Sequence, residues 1–304
     1  MSVYGVDDPF SAFPYPRHND NIAYNPSRER LRAYSDRFEK TTEYGSPAYV
    51  SDSKSRSADR TKNAIDDRFS SADWAIIRSG IDYVNDATNE LVCVDRRIGS
   101  HPAASFTCRL FVPREYARIA LSWLELLEPS TGNEPDFITV QIPHLEEPTI
   151  RILPEKGVTC VLGSDYTGEA KKSFLRLAMY RAKASGGLGL HAGSKRVHVT
   201  RDSSIEPIGQ LYLGLSATGK TTLTCHDFGL TDPEAAEMVQ DDVCTLLPDG
   251  TVAGSEGRGL YIKTIGLSRE TQPELFDAVT REDAVLENVV VDTEGVVDFE
   301  DDSL

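Results

Sequence analysis

The most constraining feature of this chain is a glycine-rich loop at residues 214–222, which reads Gly-Leu-Ser-Ala-Thr-Gly-Lys-Thr-Thr and follows a short apolar run. Gly214 and Gly219 allow the backbone to turn successive N–H groups toward phosphate oxygens. Lys220 can then reach the terminal phosphates, and Thr221 can bind a magnesium ion. The sequence therefore predicts a strand, a phosphate-binding loop and a helix in that order. The predicted nucleotide-binding residues of this loop are Gly214, Leu215, Ser216, Ala217, Thr218, Gly219, Lys220, Thr221 and Thr222.

A loop of this composition also arises by chance, so the neighbouring residues have to indicate whether this one binds phosphate. A strand-like run enters the loop, and Thr-Thr-Leu-Thr continues after the lysine, as the phosphate-binding interpretation requires. Asp241 and Asp242 follow further along the chain, where a carboxylate could hold a metal ion directly or through water. Taken alone, Asp241 would be an ordinary turn residue. Together, the loop and the acidic pair favour an enzyme that uses a nucleotide.

Length and composition limit the class of protein. The chain has 304 residues, enough for more than one hydrophobic core, so two domains are expected. Its formal net charge of -16 argues against a nucleic-acid partner, because phosphate backbones are bound by basic surfaces. A solvated acidic surface and adaptation to a salty cytoplasm would both explain this charge. The sequence does not predict the oligomeric state.

The cellular location is also an expectation from sequence. No apolar stretch reaches the length needed to cross a bilayer, and the first residues have neither a basic start nor an apolar signal core. The five cysteines are scattered, without a Cys-x-x-Cys pattern, which favours reduced thiols. We therefore expect a cytoplasmic protein without a membrane partner.

Strand and helix patterns mix along the chain and predict an α/β fold. Strand patterns cover residues 90–95, 106–112, 136–142 and 159–162, helical patterns cover 114–127 and 166–183, and a glycine-rich strand covers 186–191. Residues 286–292 and 296–299 predict a hairpin. The polar segment 193–207 is the expected boundary between two domains. We predict a mixed α/β N-terminal substrate-binding domain (1–205) and an incomplete P-loop nucleotide-binding domain with a mixed sheet (206–304).

Five segments, taken in chain order, resemble the ATP-dependent phosphoenolpyruvate carboxykinases. They are Tyr-Thr-Gly-Glu-Ala-Lys-Lys at 166–172, the glycine-rich approach to His191, the loop at 214–222, the pair at 241–242, and Glu-Gly-Arg-Gly-Leu-Tyr-Ile-Lys-Thr-Ile at 256–265. The loop looks like that of the ATP-using branch, and the loop of the GTP-using branch differs. Leu-Glu-Asn-Val at 286–289 and Asp-Phe-Glu-Asp at 298–301 extend the resemblance.

This resemblance implies a reaction. In that family oxaloacetate is decarboxylated at a manganese site, and the enolate oxygen attacks the γ-phosphoryl group of ATP, which gives phosphoenolpyruvate, ADP and carbon dioxide. The implied partners are therefore the small molecules oxaloacetate and ATP, with Mn²⁺ and Mg²⁺ as cofactors. Such chemistry needs positive charge around both the enolate and the transferred phosphoryl group.

The resemblance also assigns roles to single residues. Lys172, His191 and Asp242 match the family's manganese ligands, and a lysine can serve because the metal and the neighbouring Lys171 both lower its pKa. Without the family pattern, the lysine pair would be a solvated surface feature and His191 a satisfied core histidine. The other implied roles are phosphate binding by Lys220, binding of the second metal by Thr221, contact with the transferred phosphoryl group by Lys263, catalysis by Asp241, nucleotide contact by His191, and oxaloacetate binding by Arg56, Tyr166 and Lys172.

Several of these assignments have alternatives. Arg56 rests on the short match Ser-Arg-Ser, and Arg60 competes with it. Tyr166 could be an ordinary aromatic residue at a helix entrance. Val243 and Cys244 stand where the family carries Glu-His, and Gln272 stands where a glutamate is expected near the nucleotide sugar.

The spacing from Glu256 to Lys263 is one residue longer than the family's usual spacing. The family's next motif, Asn-Thr-Arg, and the segments that hold adenine would begin past Leu304. We therefore expect a truncated second domain with little turnover on its own. Two alternatives stay open: a nucleotide- and metal-binding remnant without catalysis, and an unrelated P-loop kinase.

Overall fold

A computed structural model describes residues 20–53, 58–99, 101–130, 134–145, 147–214 and 218–304. Within them, the helices are α1 (Arg28–Tyr34), α2 (Ser71–Asn85), α3 (Ala117–Leu126), α4 (Thr167–Ala184), α5 (Lys220–Cys225) and α6 (Pro273–Val279). The strands are β1 (Ile22–Tyr24), β2 (Lys40–Thr41), β3 (Pro47–Tyr49), β4 (Thr61–Asn63), β5 (Leu91–Ile98), β6 (Phe106–Pro113), β7 (Glu128–Pro129), β8 (Phe137–Ile142), β9 (Thr149–Leu153), β10 (Val158–Leu162), β11 (Leu188–Leu190), β12 (Ala192–Arg201), β13 (Ser204–Leu213), β14 (Ala235–Gln240), β15 (Cys244–Leu246), β16 (Val252–Gly254), β17 (Leu286–Glu287), β18 (Val290–Val291) and β19 (Val297–Asp298).

The largest sheet confirms the mixed α/β class. Its strands run in the order β1-β5-β6-β8-β10-β9-β4, with β7 paired to β5. The pairs β6–β8 and β8–β10 are parallel, whereas β5–β6 and β9–β10 are antiparallel. Strands β8 and β10 are buried along their whole length, as expected for strands covered on both faces.

Helices cover both faces of this sheet. Helix α2 packs Ile77, Ile81 and Val84 into one apolar cluster, and α3 and α4 pack Trp123 and Phe174 into a second. Both α3 and α4 contact the strands directly. Helix α4 is thereby fixed to the sheet, and its first turns lie just past the carboxyl end of β10.

The sequence analysis did not predict α2, although its signal is present. Ser70 caps the helix by accepting a hydrogen bond from the Asp73 N–H, and the Asp73 carboxylate accepts one from the Ser70 N–H in return. The apolar residues Ile77, Ile81 and Val84 then recur at spacings of four and three. A Ser-x-x-Asp box before this pattern is enough to predict the helix.

The segment 193–207 is not the polar connection that its composition suggested. It forms most of a hairpin in which β12 and β13 pair along ten residues each, joined at Asp202 and Ser203, which both have positive φ. Strand β14 pairs with the other side of β12, and β11, β15 and β16 form a separate small sheet. The predicted boundary at residue 205 falls inside β13, and the division into two domains stays a prediction.

The last part of the described chain returns to its beginning. Strand β17 pairs in parallel with β3, so that Leu286 lies beside Ala48. The predicted hairpin is present as β18 and β19. Among the helices of the described residues, none is long and apolar enough to cross a membrane. This return path brings Glu287 beside the start of α4.

Candidate active site

Helix α4 carries the first two candidate residues, Lys171 and Lys172. Its sequence after Thr167 is rich in Ala, Leu, Lys, Arg and Glu, which are strong helix formers. The residue at its N-cap, Tyr166, provides no side-chain cap. Lys171 points into the protein and is buried, whereas the Lys172 side chain is partly exposed.

Strand β11 brings His191 to the same place. A Cβ atom at Gly189 would lie 2.7 Å from Met179 Cα on α4, and one at Gly187 would lie 2.5 Å from the Leu246 carbonyl oxygen. Glycine is therefore needed for β11 to approach both α4 and β15 so closely. The glycine-rich approach to His191 thus has a packing reason.

Asp242 is the meeting point of the cluster. The His191 Nε2 atom lies 2.8 Å from Asp242 Oδ1, and Lys172 Nζ contacts Asp242 Oδ2. Lys171 Nζ lies 3.1 Å from Oδ2, and Lys220 Nζ donates a hydrogen bond of 3.4 Å to Oδ1. Residues separated by as many as 71 positions therefore converge on one carboxylate.

The electrostatics of the cluster suit a cation site. Burial opposes ionisation of Asp242, but the charges of Lys171 and Lys172 hold the pKa of that carboxyl well below its usual range. Burial, together with the charge of Lys171, lowers the pKa of Lys172, in the direction that the sequence argument expected. Burial lowers the pKa of His191, and the nearby Lys220 adds to this against the opposing charge of Asp242, which favours the neutral imidazole.

Asp241 lies against the phosphate loop. Its side chain is buried, and the hydroxyl of Thr221 lies close enough to influence its ionisation. Burial raises the pKa of Asp241, the charges of Asp242 and Glu256 add to this, and the Thr221 hydroxyl opposes it. The Asp241 Oδ1 atom has no hydrogen-bond partner within the described part of the chain. A carboxylate and a threonine hydroxyl placed together in this way are ligands that Mg²⁺ accepts.

A buried chain of contacts supports Asp242 from behind. Lys171 Nζ forms an ion pair of 2.6 Å with Glu256 Oε1. Gln240 holds Glu256 at two points: its Nε2 donates to Glu256 Oε2 over 2.5 Å, and its Oε1 accepts from the Glu256 N–H over 2.7 Å. Burial opposes the charge on Lys171, but the carboxylates of Glu256 and Asp242 raise its pKa. The sequence analysis gave Lys171 only an electrostatic role and missed Gln240, for which a single sequence carries no signal.

One of the two glycines of the predicted phosphate loop has the left-handed backbone that glycine favours. Gly219 adopts φ 86°, and α5 begins at the next residue. A Cβ atom at Gly214 would lie 2.5 Å from Thr218 Oγ1, so a larger residue there would require the Thr218 side chain to move. Thr222 donates a hydrogen bond of 3.0 Å to Gln272 Oε1. Leu215, Ser216 and Ala217 lie outside the described residues.

The residues predicted to contact oxaloacetate and the transferred phosphoryl group differ in their exposure to solvent. Tyr166 is half-buried, with its ring centroid 6.4 Å from that of Tyr261. Arg56 lies outside the described residues. Its competitor Arg60 is exposed and pairs with Glu147 over 2.9 Å. Lys263 is exposed, and no hydrogen bond or ion pair links it to another residue in the described ranges.

The donor set fits a manganese ion. Lys172, His191 and Asp242 offer an amine and an imidazole, both with a lowered pKa, and a charged carboxylate, which are nitrogen and oxygen donors that such a cation accepts. In the described residues, no group of three or more His, Cys, Asp or Glu side chains is arranged to hold a metal ion. The predicted site differs from such a group because one of its three ligands is a lysine.

A phosphate loop that faces lysines, a histidine and paired carboxylates defines a class of protein, one that handles phosphorylated nucleotides with a metal ion. The family profile for ATP-dependent phosphoenolpyruvate carboxykinase matches residues 34–304. The chain belongs to this family.

Individual relatives agree with the profile. The chain is 39% identical over 292 residues to phosphoenolpyruvate carboxykinase (ATP) of Aeropyrum pernix, covering 93% of this chain and 57% of that protein. It is 40% identical over 221 residues to the Afipia carboxidovorans enzyme, covering 67% and 38%, and 32% identical over 249 residues to that of Candida glabrata, covering 76% and 42%. The matched part of the chain thus covers between 38% and 57% of the length of these three relatives.

Proposed function

We propose that this chain carries the metal- and phosphate-binding part of an ATP-dependent phosphoenolpyruvate carboxykinase, which converts oxaloacetate and ATP to phosphoenolpyruvate, ADP and carbon dioxide. The observation that carries the proposal is the convergence of Lys172, His191 and Lys220 on Asp242. An unrelated P-loop kinase has no reason to place a lysine and a histidine from other elements on that carboxylate.

Each residue has a role in this proposal. Lys172, His191 and Asp242 hold Mn²⁺, which would stabilise the negative charge that develops as carbon dioxide leaves. Thr221, with Asp241 beside it, holds the Mg²⁺ of Mg-ATP. These roles follow the family pattern and the donor chemistry of the cluster.

The remaining residues bind substrate and phosphate. Lys220, released from Asp242, binds the β- and γ-phosphates, and Lys263 neutralises the transferred phosphoryl group. The loop backbone at 214–222 holds the phosphates, and Tyr166 and Arg56 bind the carboxylates of oxaloacetate. We further propose the division at residue 205 into a substrate-binding and a nucleotide-binding domain.

The protein is proposed to work in the cytoplasm on these small molecules. All five cysteines are free, and Cys93, Cys108, Cys160 and Cys244 are buried, as in proteins kept in a reducing compartment. The proposed reaction needs no nucleic acid and no membrane.

Calorimetry on the 304-residue chain tests the proposal. We expect Lys220→Ala to abolish Mg-ATP binding and His191→Ala to lower Mn²⁺ affinity about tenfold or more. The matched controls are Lys183→Ala, at the exposed end of α4, and His198→Ala on β12, and both should bind as the unaltered chain does. Unchanged Mg-ATP affinity in Lys220→Ala would remove the nucleotide assignment, and unchanged Mn²⁺ affinity in His191→Ala would remove the metal assignment.

A further inference from the structure

Glu287 forms a buried junction between separate parts of the proposed site. Its side chain is 8% exposed, on the short strand β17. Oε1 accepts hydrogen bonds from the Thr167 backbone N–H and from Arg118 Nη1, both over 3.1 Å. Oε2 accepts a hydrogen bond of 2.8 Å from the hydroxyl of Tyr261. One carboxylate thus joins α3, the start of α4 and the segment that leads to Lys263.

We propose that Glu287 is a positioning residue of this site: its carboxylate fixes the first turn of α4 relative to Tyr261 and so aligns Lys172 with Asp242. The inference rests on the proposed function, because it concerns the alignment of the proposed metal ligands. Glu287 acts through these residues and is itself not a ligand.

The helix end needs such a partner. The first N–H groups of a helix have no acceptor within the helix, and a Ser, Thr, Asp or Asn at the N-cap usually supplies one. Tyr166 occupies the N-cap of α4 and makes no such bond, so Glu287 supplies a carboxylate from a distant segment. A negative charge is also favourable at this end of the helix dipole. Lys172 lies only five residues after Thr167 on the same helix.

Tyr261 links the same carboxylate to the other side of the lysine pair. Its ring lies below the ammonium group of Lys171, with Nζ 5.1 Å from the ring centroid. Glu256, five residues before Tyr261, forms the ion pair with Lys171. Glu287 therefore holds both the backbone that carries Lys171 and Lys172 and the segment that packs around them.

Arg118 extends the junction toward the predicted oxaloacetate residues. Its Nη2 atom lies 2.6 Å from Asp165 Oδ2, and the Asp165 carboxylate accepts hydrogen bonds of 2.9 Å from the backbone N–H groups of Asp52 and Ser53. A buried ion network of this kind contributes little net stability, because desolvation offsets the attraction. Its consequence here is geometric: three chain segments share one set of directed bonds.

The test compares variants that keep or remove these bonds. Glu287→Gln can still accept from Thr167 and Arg118 through Oε1, and its amide can donate to the Tyr261 hydroxyl oxygen, so Mn²⁺ affinity should stay within about threefold of the unaltered chain. Glu287→Ala loses all three bonds, and we expect Mn²⁺ affinity to fall about tenfold to a hundredfold. Free Mn²⁺ is measured by electron paramagnetic resonance, Mg-ATP affinity by calorimetry and folding by circular dichroism. Mg-ATP affinity, measured without Mn²⁺, should change less than about twofold, because the phosphate loop lies on other elements.

The chain offers a close chemical match as control. Asp95 is also a buried carboxylate that accepts hydrogen bonds from one arginine and one tyrosine, Arg109 and Tyr24. Asp95→Ala should lose stability as Glu287→Ala does, but keep its Mn²⁺ affinity. Equal losses of affinity in Asp95→Ala and Glu287→Ala would show a general effect of destabilisation and overturn the positioning role.

Three other outcomes also test the positioning role of Glu287. Normal Mn²⁺ affinity in folded Glu287→Ala overturns the inference and leaves the proposed function standing. If Glu287→Ala does not fold, Tyr261→Phe decides, because it removes only one hydroxyl; we expect a fewfold loss of Mn²⁺ affinity, and no loss would overturn the inference. An unaltered chain that binds no Mn²⁺ would overturn the proposed function, and the positioning role with it.

Discussion

Substitution of Gly189 by alanine should separate the proposed metal ligands without touching any of them. An ideal Cβ atom at this position lies 2.5 Å from Met179 Cβ and 2.7 Å from Met179 Cα. The second distance is about 0.7 Å shorter than the 3.4 Å at which ordinary contacts begin. A side-chain rotation cannot relieve it, because the contacted atom belongs to the backbone of α4. The strand or the helix has to move.

The direction of this movement follows from the connections of β11. Strand β11 pairs with β15, where Leu190 lies opposite Cys244, so that His191 and Asp242 should move together. Lys172 lies two turns before Met179 on α4 and stays with the helix. The expected result is a wider gap between Lys172 and the other two ligands.

The magnitudes can be bounded. Overpacking of this kind costs about 1–3 kcal/mol of the free energy of unfolding, and each kcal/mol lowers the melting temperature of a mid-sized domain by about 2–4 °C. We therefore expect a decrease in melting temperature of about 2–12 °C. Displaced metal ligands should also lower Mn²⁺ affinity about tenfold.

Differential scanning calorimetry and Mn²⁺ titration check both quantities, with Gly209→Ala as the control. Gly209 is exposed on β13, and an added Cβ would meet no atom within 4 Å. That variant should be as stable as the unaltered chain or slightly more stable, because alanine in a strand costs less conformational entropy than glycine. If Gly189→Ala matched Gly209→Ala in both measurements, the packing argument for the glycine-rich approach would be refuted.

Two further predictions concern a distant ion pair and the coupling of the ligands. Asp73→Asn leaves Arg151 without its charged partner at 2.7 Å and should cost about 3–5 kcal/mol of unfolding free energy, measured by urea titration. Burial raises the pKa of Asp73, but the hydrogen bonds from Ser70, Lys62 and Arg151 outweigh burial and lower the pKa overall. The stabilisation from Asp73 is therefore complete above the pKa of the unfolded chain, near 4, and is lost as pH falls through the lower pKa of the folded chain. If the stability of Asp73→Asn depended on pH below about 4 as steeply as that of the unaltered chain, this reasoning would be contradicted. Mn²⁺ bound at Asp242 should release Lys220 for phosphate, so calorimetry should show a several-fold higher Mg-ATP affinity with Mn²⁺ than without it, and equal affinities would contradict the coupling.

Sequence alone was sufficient where the signal is local. Gly219 adopts the left-handed backbone that glycine favours, immediately before α5, as its place in the loop motif predicted. Strands β5, β6, β8 and β10 of the main sheet and helix α4 were also predicted, because their apolar patterns repeat within each segment, whereas strands β1, β4, β7 and β9 were not. The family motifs pointed to Lys172, His191 and Asp242 for the same reason, since each motif is a short local match.

The rest depends on contacts between distant segments. Residues 193–207 are polar because β12 and β13 form a hairpin with much exposed surface, and composition cannot distinguish such a hairpin from a connection between domains. Glu287 lies in the recognisable segment Leu-Glu-Asn-Val, but its partners Thr167 and Arg118 lie 120 and 169 positions away. A single sequence contains no information about such pairs.

The departure from the family pattern at Val243 and Cys244 has a structural answer. Val243 is buried, and the Cys244 thiol lies 3.1 Å from the Ala192 carbonyl oxygen and 3.2 Å from Ser194 Oγ. The Cys244 thiol therefore supports the strand that directly follows His191, although Cys244 stands where the family pattern has a histidine.

Asp242, in turn, depends on Lys171 rather than on the residues that follow it. Lys171 is held by Glu256, and Glu256 is held at two points by Gln240. Residues around the ligands orient them as much as the ligands' own segments do. The proposed metal-binding geometry therefore does not depend on a Glu-His pair at 243–244, because the support for Asp242 comes from the strand before it and from the segment after β16.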